Sequence, residues 1–250
     1  MTQFLISIMD ITPLSDSLSG NKALYDKAFK LVPGYRQQKI CNLKNDAAKC
    51  RSLAAGLLLN YTTHAFISGS VTGSLADNTP LAKKLPFPVT VSDAASTYMQ
   101  EYDYETACGA NGKPYFKDHA DLHFNLSHSG NFAVCIVAGM PCGIDVEGNR
   151  PFKPSVAKRF FSKTEYHWIY DTENVSVQAE RFFRLWTLKE AYAKATGNGI
   201  AAEIHTASYV PDTDSDGLCF ADSETAAHFQ IKEAEYDGLR IAAVLSDSAF

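Results

Sequence analysis

The stretch LHFNLSHSGNFAVCIVAGMPCGIDVE, residues 122–147, contains three apolar runs separated by two short connections. The runs cover residues 122–126, 132–138 and 142–147, and the connections are rich in serine, glycine, asparagine and proline. Apolar runs of this length between turn-forming residues are typical of β-strands. The stretch therefore predicts three consecutive strands joined by tight turns.

The segments on either side contain helix and strand patterns without a regular βαβ repeat. Asn45 is a suitable N-cap for the longest upstream helix, and Gly197 is a suitable stop for the longest downstream helix. The predicted helices cover residues 22–32, 46–66, 154–161, 163–170 and 175–196. Further strands are predicted at residues 4–11, 97–105, 204–210, 228–236 and 239–246. This order predicts an α+β fold, with two sheets and flanking helices.

The size of the chain allows one large domain or two small ones. It has 250 residues, of which 46% are hydrophobic, so it can bury a substantial core. Residues 68–96 are the exception, because they are rich in glycine, serine, proline and aspartate and show little periodicity. We interpret this segment as a peripheral surface loop or an insertion.

Composition argues against several classes of protein. The net charge of -5 provides no general basic surface, so we expect no nucleic-acid partner. No apolar run approaches the roughly 20 residues of a membrane span, and the first residues lack the pattern of a signal peptide. The six cysteines form no C-x-x-C pair, which favours reduced, packed thiols. We therefore expect a cytoplasmic protein without a membrane partner.

Two carboxylates lie close together in the predicted strand GIDVE, residues 143–147. Side chains of a strand alternate between its faces, so Asp145 and Glu147 point the same way, about 7 Å apart. Neighbouring carboxylates repel each other unless a cation lies between them. Hard oxygen ligands of this kind suit Mg²⁺, which also binds substrate phosphate. The pentapeptide alone is equally compatible with an ordinary solvated edge strand.

A second group of charged residues lies on the predicted helix at 175–196. Trp186, Glu190 and Lys194 are spaced four residues apart and share one face of the helix. In isolation, Glu190 followed by Lys194 is a favourable surface ion pair. However, aromatic and leucine residues occupy almost every side of this helix, which predicts that it is largely buried. Its charged groups are then expected to need partners.

The third group is FNLSHSG, residues 124–130, at the end of the first predicted strand. Ser127 and His128 invite comparison with a hydrolase, but the chain contains no G-x-S-x-G motif and no identifiable acidic partner. An ordered hydrogen-bonding loop remains an alternative. Hydroxyl, imidazole and turn amide groups are also suited to hold a phosphate. Lys113, in the turn before this strand, is a candidate for an additional positive charge.

These segments, in their order and spacing, resemble the signature blocks of a known family. FNLSHSG is followed by GIDVE thirteen residues after its glycine, then by AKRFFSKTEY and RLWTLKEAYAKATGNGI. The set resembles the 4'-phosphopantetheinyl transferases, specifically the long, surfactin-synthetase-activating (Sfp) type. The resemblance implies a monomer in which two similar α+β halves pack as a pseudo-dimer. Residues 1–120 would form the half that faces the adenine and 3'-phosphate of coenzyme A, with the insertion at 68–96, and residues 121–250 the half with the metal site and catalytic helix.

The resemblance also implies roles for individual residues. Asp145, Glu147 and Glu190 would hold Mg²⁺, and Glu190 would take the proton from the acceptor serine, directly or through water. Asp145, Glu190 and Lys194 would be the catalytic residues, with Lys194 stabilising the pyrophosphate and the leaving group. Coenzyme A would lie in the cleft between the halves. Its binding residues would be Lys113, Ser127, His128, Lys194, Arg36, Lys39, Arg51 and Ser52.

The implied reaction is the Mg²⁺-dependent transfer of the 4'-phosphopantetheine arm of coenzyme A to a serine of an apo acyl or peptidyl carrier protein. Adenosine 3',5'-bisphosphate would be released. The acceptor would belong to fatty acid, polyketide or nonribosomal peptide synthesis, and the sequence does not choose among them. Two alternatives remain open: another Mg²⁺-dependent enzyme of nucleotide pyrophosphates, such as a hydrolase, and an inactive carrier-binding module.

Overall fold

The computed structural model describes residues 4–69, 87–148 and 150–247. Its strands are β1 Phe4–Asp10, β2 Phe87–Pro88, β3 Thr106–Cys108, β4 Pro114–Phe116, β5 His123–Ser129, β6 Phe132–Ala138, β7 Cys142–Gly148, β8 Tyr209–Pro211, β9 Leu218–Phe220, β10 Phe229–Tyr236 and β11 Leu239–Ser246. Its helices are α1 Thr12–Ser19, α2 Ala23–Leu31, α3 Gly34–Cys41, α4 Asp46–Ser68, α5 Val91–Ser96, α6 Pro154–Phe160, α7 Lys163–Tyr170, α8 Val175–Thr196, α9 Ile200–Glu203 and α10 Ser223–His228. The predicted α+β class is confirmed.

Two sheets form the centre of the molecule. The first has the strand order β2-β1-β6-β5, and the second has the order β10-β11-β7. β2 pairs with β1 in parallel, whereas the other neighbours in both sheets are antiparallel. Two short hairpins, β3–β4 and β8–β9, lie outside these sheets.

Strand alternation packs the two sheets face to face. Ile6 of β1 and Ile136 of β6 meet Ile144 of β7 and Ile241 of β11 in one buried cluster. Residues between these positions point outward, toward a long helix on each sheet. The outward residues of β6, among them Cys135, join the core with α4, and those of β11 join the core with α8. The result is a four-layer arrangement of helix, sheet, sheet and helix.

The two long helices begin where the sequence predicts; α8 also ends there, and α4 continues to Ser68, two residues beyond its predicted end. Asn45 accepts a hydrogen bond from the Ala48 amide at the start of α4, and Asn174 caps α8 in the same way. Gly197 ends α8 with φ 74°, a left-handed conformation that favours glycine. The bounds of α7, α8 and β11 are the predicted ones.

The predicted strand at 97–105 is wrong. Residues 100–102 form a 3₁₀ turn, and no residue of 97–105 is assigned to a strand. The buried Asn60 side chain of α4 explains the difference, because it pairs with the backbone of Met99. It donates to the Met99 carbonyl at 2.7 Å and accepts from the Met99 amide at 3.0 Å. The Asn60 side chain thus forms the two backbone hydrogen bonds that a neighbouring strand would form with Met99.

The predicted strand at 204–210 is mostly wrong for a similar reason. Only Tyr209–Pro211 is a strand, and residues 200–203 form the short helix α9. The ammonium of Lys189 donates to the carbonyls of Ile204 and Ala207, at 3.2 and 2.7 Å. These carbonyls therefore bond to a buried side chain and not to a strand. The helices α1 and α3 were not predicted.

The predicted loop or insertion at 68–96 differs from the structure at its end. β2 pairs with β1, α5 occupies residues 91–96, and Val89, Val91 and Ala94 are buried in the first core. This end is therefore packed and not peripheral. Residues 70–86, the middle of the predicted loop, lie outside the described residues.

The division into halves at residues 120 and 121, like the pseudo-dimer, stays a prediction. β5 and β6 hydrogen bond within the first sheet, while β7, which follows directly, belongs to the second. In the ranges given above, no helix combines the length and apolar character needed to cross a membrane.

Candidate active site

The predicted site lies where β5 of the first sheet meets β7 of the second. β5 contributes side chains at alternate positions to this junction. Asn125 accepts a hydrogen bond from the Ile144 amide at 3.1 Å, and Ser127 donates to Oδ1 of Asp145 at 2.7 Å. Ser129 donates to Oε2 of Glu147 at 3.2 Å. The serines of FNLSHSG thus face the carboxylates of GIDVE.

Gly143 allows helix α8 to approach β7 closely. A Cβ atom at this position would lie closer than 3.0 Å to the carbonyl oxygen of Ala191 and the amide nitrogen of Ala195. Both are backbone atoms of α8 and cannot move aside without moving the helix. Glycine at this position therefore brings Glu190 and Lys194 next to the β7 carboxylates.

Lys194 is the centre of the hydrogen-bond network. Its ammonium donates to Oδ1 of Asp145 at 2.6 Å and to Oγ of Ser127 at 3.1 Å. It also donates to the Ile144 carbonyl at 3.1 Å, and it lies 3.9 Å from Oε2 of Glu190. The predicted stripe of Glu190 and Lys194 on one face of α8 therefore faces the strand carboxylates.

Asp145 is buried, with 3% of its surface exposed, and only one of its oxygens is satisfied. Oδ1 binds Ser127 and Lys194, whereas Oδ2 is buried with no hydrogen-bond partner. Burial raises the pKa of this carboxyl, and Lys194 and Ser127 oppose the rise. An unpartnered buried carboxylate oxygen is costly, and a bound cation would satisfy it.

Burial raises the pKa of Glu190 to about 7. The neighbouring charges of Asp145 and Glu147 add to the rise, while Lys194 and a hydrogen bond with Trp186 oppose it. A carboxyl that titrates near neutral pH is suited to accept a proton from a substrate. Trp186, predicted to be a packing residue, also packs on the second core.

Arg150 was not predicted and holds Glu147. Its two terminal nitrogens donate to the two oxygens of Glu147 at 2.6 and 3.0 Å. An opposite charge three residues along the chain is the only sequence signal for this pair. Because Lys194 and Arg150 engage the strand carboxylates, no three His, Cys, Asp or Glu side chains of the described ranges are arranged to hold a metal ion. The donor chemistry fits Mg²⁺, but the side chains would have to rearrange to bind it.

Positive groups from three elements lie near one another beside this cluster. His128, near the end of β5, reaches the surface. Its imidazole is nevertheless partly surrounded by protein, and this lowers its pKa. Arg51 of α4 and Lys194 of α8 contribute to the lowering, which indicates that both charges lie near the imidazole. Arg51, His128 and Lys194 are all predicted to bind coenzyme A, and positive groups of this kind are suited to hold a phosphate.

Lys113 lies beside the C-terminal end of α8. Its ammonium donates to the Ala195 carbonyl at 2.6 Å, and burial lowers its pKa. Asn111, which was not predicted, donates to the Gly197 carbonyl at 3.0 Å. Both residues line a cleft of about 280 Å³ with Pro114, His123 and other residues of the same turn and strand. Phe124 of β5 and Ala195 of α8, which lie in the same elements as the charged cluster, also line this cleft.

The remaining predicted coenzyme A residues lie on α3 and α4. Ser52 follows Arg51 on α4 and is half-buried, and Lys39 is exposed in the last turn of α3. Arg36 lies across Gly56, and its guanidinium is 5.9 Å from the ring of Tyr35. The contacts of Arg36 are thus with the N-terminal elements.

Comparison with known proteins agrees with this geometry. Residues 141–244 match the sequence model of the 4'-phosphopantetheinyl transferase superfamily. This segment is therefore similar to that superfamily. It includes β7 and α8, and so it contains Asp145, Glu147, Glu190 and Lys194. The resemblance inferred from the sequence is confirmed.

Individual relatives match the same part of the chain. The 4'-phosphopantetheinyl transferase Sfp of Bacillus subtilis is 40% identical over 97 residues, which is 39% of this chain and 43% of that protein. The 4'-phosphopantetheinyl transferase HetI of a Nostoc species is 46% identical over 107 residues, or 40% and 43% of the two chains. The chain thus spans less than half the length of either relative. A Thermotoga maritima holo-[acyl-carrier-protein] synthase structure superposes with a TM-score of 0.35 at 18% identity, over 44% of this chain and 64% of that one, a likeness too weak to add support.

Proposed function

We propose that this chain is a 4'-phosphopantetheinyl transferase that moves the phosphopantetheine arm of coenzyme A to a serine of an apo acyl or peptidyl carrier protein. Adenosine 3',5'-bisphosphate is the second product. One observation supports this most strongly: the residues that match the superfamily also carry the buried group of Asp145, Glu190 and Lys194. We further propose that the enzyme acts as a cytoplasmic monomer.

Glu190 is the proposed base. Without metal its pKa is raised to about 7, so burial makes this carboxylate a stronger base than an exposed glutamate. Its location on a rigid helix packed against β7 fixes its direction. The enzyme needs no covalent nucleophile of its own, because the serine hydroxyl attacks the phosphorus directly.

The cationic residues are proposed to bind the phosphates. Lys194 lies 2.6 Å from Asp145 and is the nearest ammonium to a pyrophosphate held there. Arg51 and His128 lie on the side toward α4, and Lys113 lines the adjacent cleft. In phosphoryl transfer, most of the rate enhancement comes from positioning and charge neutralisation, which this group of residues provides.

The proposed metal ligands are Asp145, Glu147 and Glu190. The unpartnered Oδ2 of Asp145 and the raised pKa of Glu190 fit a site that is completed by a cation. Bound Mg²⁺ would neutralise the pyrophosphate charge. With the metal bound, the Lys194 ammonium would remain close to Oδ1 of Asp145 and leave Oδ2 for the metal.

An intact-mass assay tests the proposal. The protein is mixed with coenzyme A, MgCl₂ and an apo carrier protein, and the carrier is analysed for one added phosphopantetheine. Cleavage of coenzyme A without a carrier would instead identify a pyrophosphate hydrolase. Binding of the carrier without modification would identify an inactive binding module.

Substitution of Glu190 tests its role within the same assay. We expect Glu190→Gln to slow transfer about 10³-fold, the contribution of a general base. Glu180→Gln is the matched control, since Glu180 lies on the same helix and pairs with Arg240 instead of the site. It should transfer at nearly the wild-type rate. Near-normal turnover by Glu190→Gln would refute the assignment of the base.

A further inference from the structure

The ion pair between Arg150 and Glu147 engages both carboxylate oxygens of a proposed metal ligand. Arg150 donates to both oxygens of Glu147, at 2.6 and 3.0 Å, and Ser129 donates to one of them as well. Planar two-point pairing of guanidinium with carboxylate is the strongest form of such a bond. Three of the roughly four lone-pair sites of Glu147 are thus taken while the pair persists, which leaves it a poor ligand for a cation.

The charge of Arg150 acts on the other two proposed ligands as well. Its hydrogen bonds to Glu147 raise the pKa of the guanidinium most, and the charges of Asp145 and Glu190 raise it further. The guanidinium also lies 5.2 Å from the ring of Phe183 on α8. One arginine therefore bonds to Glu147 and places a single positive charge within electrostatic reach of Asp145 and Glu190.

The pair is also easy to open. The Arg150 side chain is 56% exposed, compared with 15% for Glu147, so the arginine can move into water while the glutamate remains in place. Exposed ion pairs contribute only about 0–1 kcal/mol, and a well-aligned arginine pair lies near the upper end. The cost of release is therefore small compared with the gain from binding a divalent cation.

We propose that Arg150 is an internal substitute for the metal, and that it must leave Glu147 before Mg²⁺ binds. This inference rests on the proposed function, because it assumes that Asp145, Glu147 and Glu190 are the ligands. In the metal-free protein the arginine reduces repulsion among the carboxylates and keeps the site closed. The same pair lowers the apparent affinity for Mg²⁺, since every binding event includes its rupture.

A metal titration without any catalytic readout tests the proposal. Mn²⁺ replaces Mg²⁺ as the probe, and free Mn²⁺ is measured by electron paramagnetic resonance, with and without saturating coenzyme A. Arg150→Gln should bind Mn²⁺ roughly fivefold more tightly than wild type, the equivalent of about 1 kcal/mol. Lys153→Gln is the matched control: it removes one positive charge from the same loop, and Lys153 is exposed. Its affinity should change by less than about twofold, because distant exposed charges are screened.

The outcomes separate this inference from the proposed function. Binding that is lost in Asp145→Asn, together with equal affinities for wild type and Arg150→Gln, would retain the metal site and refute the competition. Weaker binding by Arg150→Gln would also refute it, because the arginine would then support the site. Absence of Mn²⁺ binding in every variant, even with coenzyme A, would overturn both proposals.

Thermal unfolding provides a second measurement. Mg²⁺ raises the unfolding midpoint by an amount that grows with its affinity for the folded state. The rise should be larger in Arg150→Gln than in wild type at the same MgCl₂ concentration. Without the metal, Arg150→Gln should have the lower midpoint of the two, because its carboxylates lose their internal cation. A midpoint that responds equally to Mg²⁺ in both proteins would contradict the proposal.

Discussion

Helices α4 and α8 have similar lengths and similar ends, but they bury different kinds of polar side chains. They are 23 and 22 residues long, each begins at an asparagine cap, and each ends at a glycine with positive φ. Each packs across the outer face of one sheet. α4 does so with apolar residues such as Leu53 and Leu57, and its buried polar groups, Asn60, Thr62 and Thr63, are neutral.

α8 joins its surroundings through charged groups. Arg184 pairs with Glu233 at 2.9 Å, Lys194 with Asp145 at 2.6 Å and Lys189 with Glu165 at 3.1 Å. Buried ion pairs contribute little net stability, so a helix that only had to cover a sheet would not need them. The comparison indicates that α8 is packed so that charged side chains are held in fixed positions. The active site that we propose uses charges of this helix.

The largest effect on stability is expected at the buried pair of α8. Lys189→Met should lower the free energy of unfolding by about 3–5 kcal/mol, because Glu165 would keep a buried charge without its cation. Lys49→Met on α4 is the control, since Lys49 pairs with Asp46 at the surface, and it should change stability by less than about 1 kcal/mol. Urea unfolding measures both. Equal effects would remove the distinction between the helices.

The two helices also differ in the glycine at their packing contacts: Gly143 of β7 lies against α8, whereas Gly56 belongs to α4 itself and faces Arg36 and Val32. Gly143→Ala should cost about 3 kcal/mol, because the added Cβ would collide with the backbone of α8. Gly56→Ala on α4 meets only the flexible side chains of Arg36 and Val32, and alanine favours the helix by up to about 1 kcal/mol. Urea unfolding should therefore show a large loss for the first variant and little or no loss for the second.

The charges of α8 predict a pH dependence. The folded-state pKa of Glu190, about 7, lies above its ordinary value of 4.5, so its protonation favours the folded state. This contribution is fully present below about pH 4.5 and is lost as pH rises through about 7. We expect wild type to lose roughly 2 kcal/mol more than Glu190→Gln between pH 5 and pH 8 without metal. Denaturant unfolding at both pH values measures this, and parallel curves would contradict the raised pKa.

The smallest effect is expected in the neutral interior of α4. The hydroxyl of Thr63 is buried with no hydrogen-bond partner. Thr63→Val replaces it with a methyl group and should raise the unfolding free energy by up to about 1 kcal/mol. Thr62→Val is the control, because the Thr62 hydroxyl donates to the Leu58 carbonyl at 2.7 Å, and it should not stabilise. Stabilisation by both variants would contradict this explanation.

The sequence predicted those elements whose signals are local. Asn45 and Gly197 mark helix ends by interactions within a few residues, and the structure has these ends. The failures at 97–105 and 204–210 came from distant side chains. Asn60 acts on a backbone 39 residues away, and Lys189 acts on carbonyls 15 and 18 residues away. No pattern within either segment reports such a partner.

The candidate site was predictable to a similar extent. Strand alternation placed Asp145 and Glu147 on one face of a strand, and helical spacing placed Glu190 and Lys194 on one face of a helix. Only the resemblance implied that the two groups meet, and the structure brings Asp145, Glu190 and Lys194 together. The roles assigned to these residues stay predictions. Arg150 escaped notice because an opposite charge three residues away is common on any surface. Lys113 was assigned to phosphate, and its bond to the end of α8 depends on a contact 82 residues distant.

The junction of β5 and β7 has a consequence for the chain's tolerance of change. Backbone ladders accept almost any residue, because amides and carbonyls are common to all. Here Asn125, Ser127 and Ser129 make the connection with their side chains, so this seam between the sheets depends on residue identity. Substitutions at these three positions should therefore loosen the junction of β5 and β7 while the apolar core still holds the sheets together, and insertions into the hairpin at Asp237 and Gly238 should leave the junction unchanged.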